Sequence, residues 1–365
     1  MEIRLNDLLL KASTRILKMQ NIDGSFPSGH NGPYNDPETP VRNTAHVLFF
    51  LSDLYSKTND DTFKKSALKC MEYLKSDKSR PFFKTFYHRD KIGKDSCNGL
   101  VGQAWCIEAL VKASICFDDE ESYSLAQEVF FLHKFDDRIG LWNRTEINGD
   151  ILGFDGTFNH QLWFAASAGM LSRTPAALEA VDIFLDKIVS KVKLYGDNII
   201  YHESSMGDLY KYLNLGLRSF LGQVKSRAKN AVPSYKSGLY SKSVGYHAFN
   251  VYALAMLKVS RPKHELWESN LIQKILTVTE SDNFRSTLKN SKYGYFYNTS
   301  GIELAFGFES LLENTTVANN WLNLQFENTF LNIEEPLSNN SPDRNTSIAR
   351  IYAASRLKEN YLIKI

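Results

Sequence analysis

The side chains in this sequence that could do chemistry gather where a polar cluster opens an apolar run. In chain order they are Asp36, Glu38, Arg42, Asn43 and His46; Asp95, Asn98 and Gln103; Asp155, Asn159, His160 and Gln161; Tyr246, His247 and Asn250; Glu303; and Asp343 with Arg344. Asp155 stands between Phe154 and Gly156, and desolvation in such company would raise a carboxyl pKa and suit it to general-acid work. Arg42 and His46 lie four apart, so on a helix they share one face. A buried guanidinium needs a carboxylate neighbour or an acidic ligand. Two chemistries fit these residue types. Hydrolysis at a sugar takes two carboxyl groups across a pocket, which Asp155 with Glu38, Asp95 or Glu303 could supply. Epimerisation beside a uronate carboxylate takes opposed bases and a cation, for which Tyr246, His247, His46 and Arg42 are the candidates. Asn98, Asn159 and His160 are further pocket candidates. Asp95 and Asp343 equally suit helix caps, and His160 and His247 equally suit satisfied core histidines. Spacing leaves these alternatives open.

Helical periodicity predicts segments at roughly 6–19, 41–56, 60–75, 99–116, 119–133, 158–172, 174–190, 246–259, 264–279, 301–313, 317–332 and 344–359. Short turns alternate with long loops such as 20–40, 76–98 and 134–157. Helices that follow a long loop are apolar around most of their circumference, which requires burial on all sides; those that follow a short turn carry one charged face. An inner buried ring wrapped by an amphipathic outer ring is an all-α (α/α)6 toroid of about six helical hairpins. A superhelical solenoid is the competing architecture. In a toroid every long loop reaches its inner helix from the same end, so the polar clusters converge. Four long loops carry a glycine beside an aromatic, as in Gly24-Ser25-Phe26, Gly140-Leu141-Trp142, Gly238-Leu239-Tyr240 and Gly294-Tyr295, and these read as turns with an aromatic lid. The stretch 191–245 breaks the rhythm and reads as an insertion or lid within a single domain spanning 1–365. An extra helix is expected near 207–226, and the stretch carries the basic run Lys225 to Lys229.

Composition narrows the class. The chain has 365 residues, 43% of them hydrophobic and 23% charged, with a formal net charge of +2. That balance gives no pull toward nucleic acid, and no run of about 18 uncharged apolar residues suggests a membrane span. Four cysteines without metal-ligand spacing, and a start lacking a secretion-signal layout, point to a reducing, cytoplasmic setting. Nucleotide-binding glycine loops and metal motifs are missing from the sequence, so the expected chemistry uses no cofactor and no metal. Aromatic residues reach 13%, which suits an aromatic core and a saccharide cleft alike.

The segment from Gly24 through Pro33-Tyr34-Asn35-Asp36-Pro37-Glu38-Thr39-Pro40-Val41-Arg42-Asn43-Thr44-Ala45-His46 resembles the opening of the VpsJ-like family of polysaccharide biosynthesis loci and the related AglQ-like proteins of archaeal glycosylation clusters. Likeness continues through Asp95–Trp105, Phe154–Trp163 and Tyr293–Glu303. At superfamily level the chain is similar to the six-hairpin glycosidases, including unsaturated glucuronyl hydrolases, which set a catalytic Asp in an Asp-Thr-x-x-Asn-like context. Asp155-Gly156-Thr157-Phe158-Asn159 differs from that pattern by the intervening Gly156. The resemblance implies a carbohydrate-active protein of cell-surface or exopolysaccharide assembly with a saccharide or glycan substrate, acting by hydrolysis or epimerisation on uronic-acid-containing or related sugars. A non-catalytic glycan-binding partner is the alternative. A terpene-cyclase-like reading, prompted by Gln20–Phe26, lacks an Asp-rich initiating motif.

Overall fold

A computed structural model describes residues 2–202 and 233–365, with side chains described outside 233–237. Strand β1 (Glu2–Arg4) leads into α1 (Leu5–Lys18). Hairpins follow: α2 (Val41–Thr58) with α3 (Asp61–Lys75), α4 (Gly99–Phe117) with α5 (Glu120–Leu132), and α6 (Phe158–Ala168) with α7 (Pro175–Lys191). Next come α8 (Pro233–Ser260) backed by α9 (Asn270–Thr277) and α10 (Asp282–Asn290), then α11 (Ser300–Leu312) with α12 (Thr315–Thr329). The short α13 (Arg344–Ala349) and α14 (Tyr352–Ser355) complete the helices.

Among the described residues, α2, α4, α6, α8, α11 and the α13–α14 pair each pack on the next, and the last returns to α2. The ring is closed, which makes the molecule the (α/α)6 toroid that the alternation of helices predicts. Inner helices are buried nearly all round, as α4 shows from Gly99 to Val111 without a break. By length and composition α4 could cross a membrane, but here its apolar surface is spent on α2, α5 and α6. The outer helices bury one stripe, such as Phe63, Ala67, Cys70 and Leu74 of α3.

Three of the short turns share one construction. Asn59, Asp118 and Glu313 take the left-handed conformation that ends a helix, and the next residue, Asp60, Asp119 or Asn314, caps the following helix with its side chain. Two residues thus reverse the chain. At the molecule's ends β1 pairs antiparallel with β5 (Leu362–Lys364), setting Ile3 opposite Ile363.

Several elements depart from the sequence expectation. The helix expected from 246 begins at Pro233, so 233–245 belong to an inner helix and not to an insertion; its first turns carry Lys242 and two glycines, which masked the apolar pattern. The proposed helix near 207–226 and the run 225–229 lie outside the described residues. Ser269 and Ser281 open new helices and divide the layer outside α8, where one helix over 264–279 was expected. The last helix breaks at Arg350 and Ile351. The loop 134–157 folds into a three-stranded antiparallel sheet, β2 (Phe135–Asp136), β3 (Leu141–Thr145) and β4 (Ile151–Phe154), whose end delivers Asp155.

Candidate active site

One position on successive inner helices sets the geometry. Thr44, Gln103, Gln161 and His247 each accept the backbone N–H of a loop residue, from Phe26, Phe86, Trp142 and Ile200 respectively. Gln103 and Gln161 also donate back to the carbonyls of Phe86 and Trp142. A buried strand of each long loop is thereby fastened to its own helix with its backbone groups satisfied. The loop aromatics Phe26 and Trp142 are buried in the core and do not line the cavity.

This places His247 plainly. Its Nδ1 receives Ile200 and its Nε2–H donates to the Ile275 carbonyl at 2.7 Å. Both nitrogens are committed to the scaffold and the ring faces the outer layer. It is a strut, not the pocket base that its place beside Tyr246 suggested.

The loops and first turns above this level enclose a cavity of about 160 Å³. Of the residues expected there from sequence, Arg42, Asn98, Asn159, His160 and Tyr246 line it. The sequence reading missed Asn31, Tyr34, Arg89, Lys94, Trp105, His202, Lys242, Phe249, Tyr297 and Asn298. Some were signalled. Trp105 stands four residues beyond Val101 on the inward face, as His46 stands beyond Arg42, and Tyr297 follows a glycine–aromatic pair. His202 and Lys242 lay in the stretch read as an insertion.

Arg42 sits at the cavity's inner wall. Its NH1 donates to Glu38 and Asn31, each at 3.2 Å, and its guanidinium lies 4.4 Å above the Trp105 ring. Asn31 Oδ1 also accepts the Tyr297 hydroxyl at 2.6 Å. Burial pushes the Glu38 carboxyl up and the charge of Arg42 opposes the shift, leaving it raised. Arg42 Nε is buried without a protein partner. The answer to the question posed by a buried arginine is therefore that it has a carboxylate neighbour and a donor to spare.

His46 lies one turn deeper, stacked on Tyr352 at 4.3 Å and edge-on to Trp105 at 5.2 Å. Burial and the charges of Arg42 and Arg350 hold it neutral, well below the ordinary histidine value. It supports the wall and does not line the cavity. Glu303 is likewise below, buried and paired with Arg350; burial pushes its carboxyl up to about 7 against the pull of Arg350.

Asp155 reverses its expectation. Burial alone would raise its pKa, but His160, Arg144 and the Thr157 N–H outweigh burial and hold the carboxyl well below the usual carboxylate range. Oδ2 contacts His160 Nδ1 at 2.7 Å and accepts Leu100 N at 3.2 Å, while Oδ1 accepts Thr157 N at 3.1 Å. An ionised carboxylate only accepts, so His160 Nδ1 donates and Nε2 is left to act toward the cavity. Asp155 therefore holds the His160 ring in place, and its carboxyl is lowered where general-acid work would need it raised. Asp95 is similarly occupied. It accepts Gly99 N at 2.9 Å and pairs with Arg89 and Arg144, whose charges keep its carboxyl low despite burial.

His202 is buried beside Tyr246, with ring centroids 4.5 Å apart. Its Nδ1 has no protein partner. Burial, then the charges of Lys242 and His160, push it well below the ordinary histidine value. The cavity wall thus carries two imidazoles in unlike surroundings, four cations in Arg42, Arg89, Lys94 and Lys242, and, among the described residues, no carboxyl group.

The closed ring defines the fold class, a six-hairpin toroid, and solved structures share it. The backbone is similar to a D-mannose isomerase (TM-score 0.61, 12% identity, 96% of each chain covered) and to cellobiose 2-epimerase from Bacillus thermoamylovorans (0.61, 10%, 96% and 98%). An alpha-1,6-mannanase from Salegentibacter has the same fold (0.55, 10%, 96% and 98%). No family model matches the chain. Over 362 residues it is 37% identical to archaeal glycosylation protein Q of Haloferax volcanii, with 97% of this chain and 98% of that protein covered. The chain belongs to the archaeal glycosylation protein Q family.

Proposed function

We propose that this protein is an acid/base enzyme of glycan assembly that epimerises an anionic, uronate-type saccharide at the carbon beside its carboxylate. The observation that carries the reading is the cavity wall, with two imidazoles and four cations lining it and, among the described residues, Glu38, Asp95 and Asp155 each paired with a protein partner. Glycoside hydrolysis takes two carboxyl groups flanking the scissile bond, and Glu38, Asp95 and Asp155 are engaged with Arg42, Arg89 with Arg144, and His160. Proton transfer at carbon instead takes a pair of groups whose surroundings set them apart. His202, held neutral, serves as the base. His202 takes the proton from one face of the carbon, and His160, its ring held by Asp155 through Nδ1, returns a proton from Nε2 to the opposite face. Arg42 steadies the charge that develops on the carboxylate as the neighbouring C–H is broken. Family membership supports a place in glycosylation.

Product analysis tests the proposal. Uronate saccharides incubated with the protein should return as stereoisomers of unchanged mass, by nuclear magnetic resonance, and His160→Gln should lower kcat by about 100-fold or more, the usual worth of a positioned acid/base group. Release of a shorter saccharide with retained carbon configuration would instead establish a hydrolase.

A further inference from the structure

Asn31 fixes the sense of a chain of hydroxyl groups along the cavity wall. Its side-chain amide donates from Nδ2 to Asp36 Oδ2 at 3.0 Å. Its Oδ1 accepts Arg42 NH1 at 3.2 Å and the Tyr297 hydroxyl at 2.6 Å. Asp36 also receives Lys91 and Lys94, whose hydrogen bonds outweigh burial and keep its carboxyl below the ordinary value. A guanidinium only donates and a carboxylate only accepts, so the amide can face only one way. The Tyr297 hydroxyl is therefore the donor to Asn31.

A phenol carries one proton, and the consequence runs outward from Asn31. Tyr246 is hydrogen-bonded to Tyr297, whose proton is already engaged, so Tyr246 donates. The Tyr34 and Tyr246 oxygens lie 2.9 Å apart, and with the Tyr246 proton committed Tyr34 donates in turn. Burial pushes all three phenols above the ordinary tyrosine value, so at neutral pH every oxygen in the chain keeps its proton. Among the described residues Tyr246 is the partner of the Tyr34 hydroxyl. What Tyr34 offers to a ligand is thus a lone pair. Asn31, Tyr34, Tyr246 and Tyr297 line the cavity together with Arg42.

We infer that Tyr34 is a specificity-determining residue whose oxygen accepts a hydrogen bond from a ring hydroxyl of the saccharide, while Arg42, at the other end of the chain, donates to the sugar carboxylate. This inference rests on the uronate reading given above. The two ends have opposite polarity, so they set the direction of the ring in the cavity. A sugar turned end for end would place its carboxylate against a lone pair and its hydroxyl against a guanidinium. The same polarity selects a sugar that is unsubstituted at that hydroxyl, since an ether or ester oxygen has no proton to give Tyr34.

Calorimetric titration tests the inference with glucuronate, with analogues in which one ring hydroxyl at a time is replaced by fluorine, and with methyl glucoside and its fluorine analogues as neutral references. Fluorine is small and cannot donate. One analogue should bind about tenfold more weakly than glucuronate, the worth of a hydrogen bond between neutral groups. Tyr34→Phe should bind glucuronate and that analogue alike, with its helical circular dichroism retained. Tyr297→Phe frees the Tyr246 proton to turn toward Tyr34, whose own proton can then point to the ligand, so the penalty for the fluorine analogue should shrink there too. Equal binding of glucuronate and every analogue, or an unchanged penalty in either variant, overturns the role of Tyr34 and leaves the uronate reading standing. Methyl glucoside binding as tightly as glucuronate, with a Tyr34-dependent penalty among its own fluorine analogues, overturns the uronate reading and leaves the role of Tyr34. Binding of no sugar overturns both.

Discussion

At the scale of single residues, the site turns on what each carboxylate is already doing. Asp155 was legible in the sequence as a special acid, because an Asp between Phe154 and Gly156 before an inner helix is out of place on a wet surface. Its role was not legible. Helical spacing brings His160 close to Asp155, but whether that imidazole turns onto the carboxylate is settled by the loop conformation at Gly156 and Thr157. The pairing has a signed consequence for stability. The folded carboxyl binds its proton less readily than the unfolded one, so its contribution is present above the unfolded value of about 3.9 and is lost as pH falls through the folded value. Asp155→Asn should cost about 1–3 kcal/mol at neutral pH, the worth of a buried hydrogen-bonded polar pair, and should flatten the pH dependence of the urea midpoint below about pH 4. His202 gives a kinetic counterpart. Because burial holds it neutral, the acidic limb of the kcat/KM profile, which reports the free enzyme's base, should lie below the ordinary histidine value of about 6.5.

Among elements, the start of α4 joins fold and site most closely. Gly99 has a φ of +60°, and a Cβ there would stand 2.5 Å from Asp155 Oδ2 and 2.7 Å from His160 Nδ1. The same turn donates Gly99 N to Asp95 and Leu100 N to Asp155, the electrostatic arrangement a helix N-terminus favours. Gly99→Ala should displace the Asp155–His160 pair and lower kcat at least tenfold, a shift of about 1.4 kcal/mol in the barrier, with the helical circular dichroism retained; an unaltered kcat would separate this turn from the chemistry. The periodicity of the inner helices was plain from the sequence, since a run such as Leu100–Val111 has no charged face to offer water apart from Glu108. The helix containing Lys242 was shortened in the reading because its first turns carry two lysines and two glycines and so lack the all-round apolar signature. The three-stranded sheet was missed for a related reason: its strands are only two to five residues long, too short for alternation to register.

The whole molecule depends on closure. Side chains from residue 31 to residue 298 share one cavity because six inner segments among the described residues return to their start, and Arg350 with Glu303 ties the last to its neighbour. Removing the carboxylate from that pair leaves a buried cation unmatched, so Glu303→Ala should cost about 3–5 kcal/mol in urea unfolding. Closure itself was readable from the alternation of short turns and long loops. Which imidazoles reach the centre was not, because His46, His160, His202 and His247 differ by register and loop path and not by residue type. The central claim is that two unlike imidazoles move a proton at a sugar carbon, and the most direct measurement is isotope exchange in deuterium oxide. A uronate saccharide incubated with the protein should gain one carbon-bound deuterium beside its carboxylate, at a rate that collapses in His160→Gln. Turnover of the saccharide with no deuterium at carbon would contradict the account.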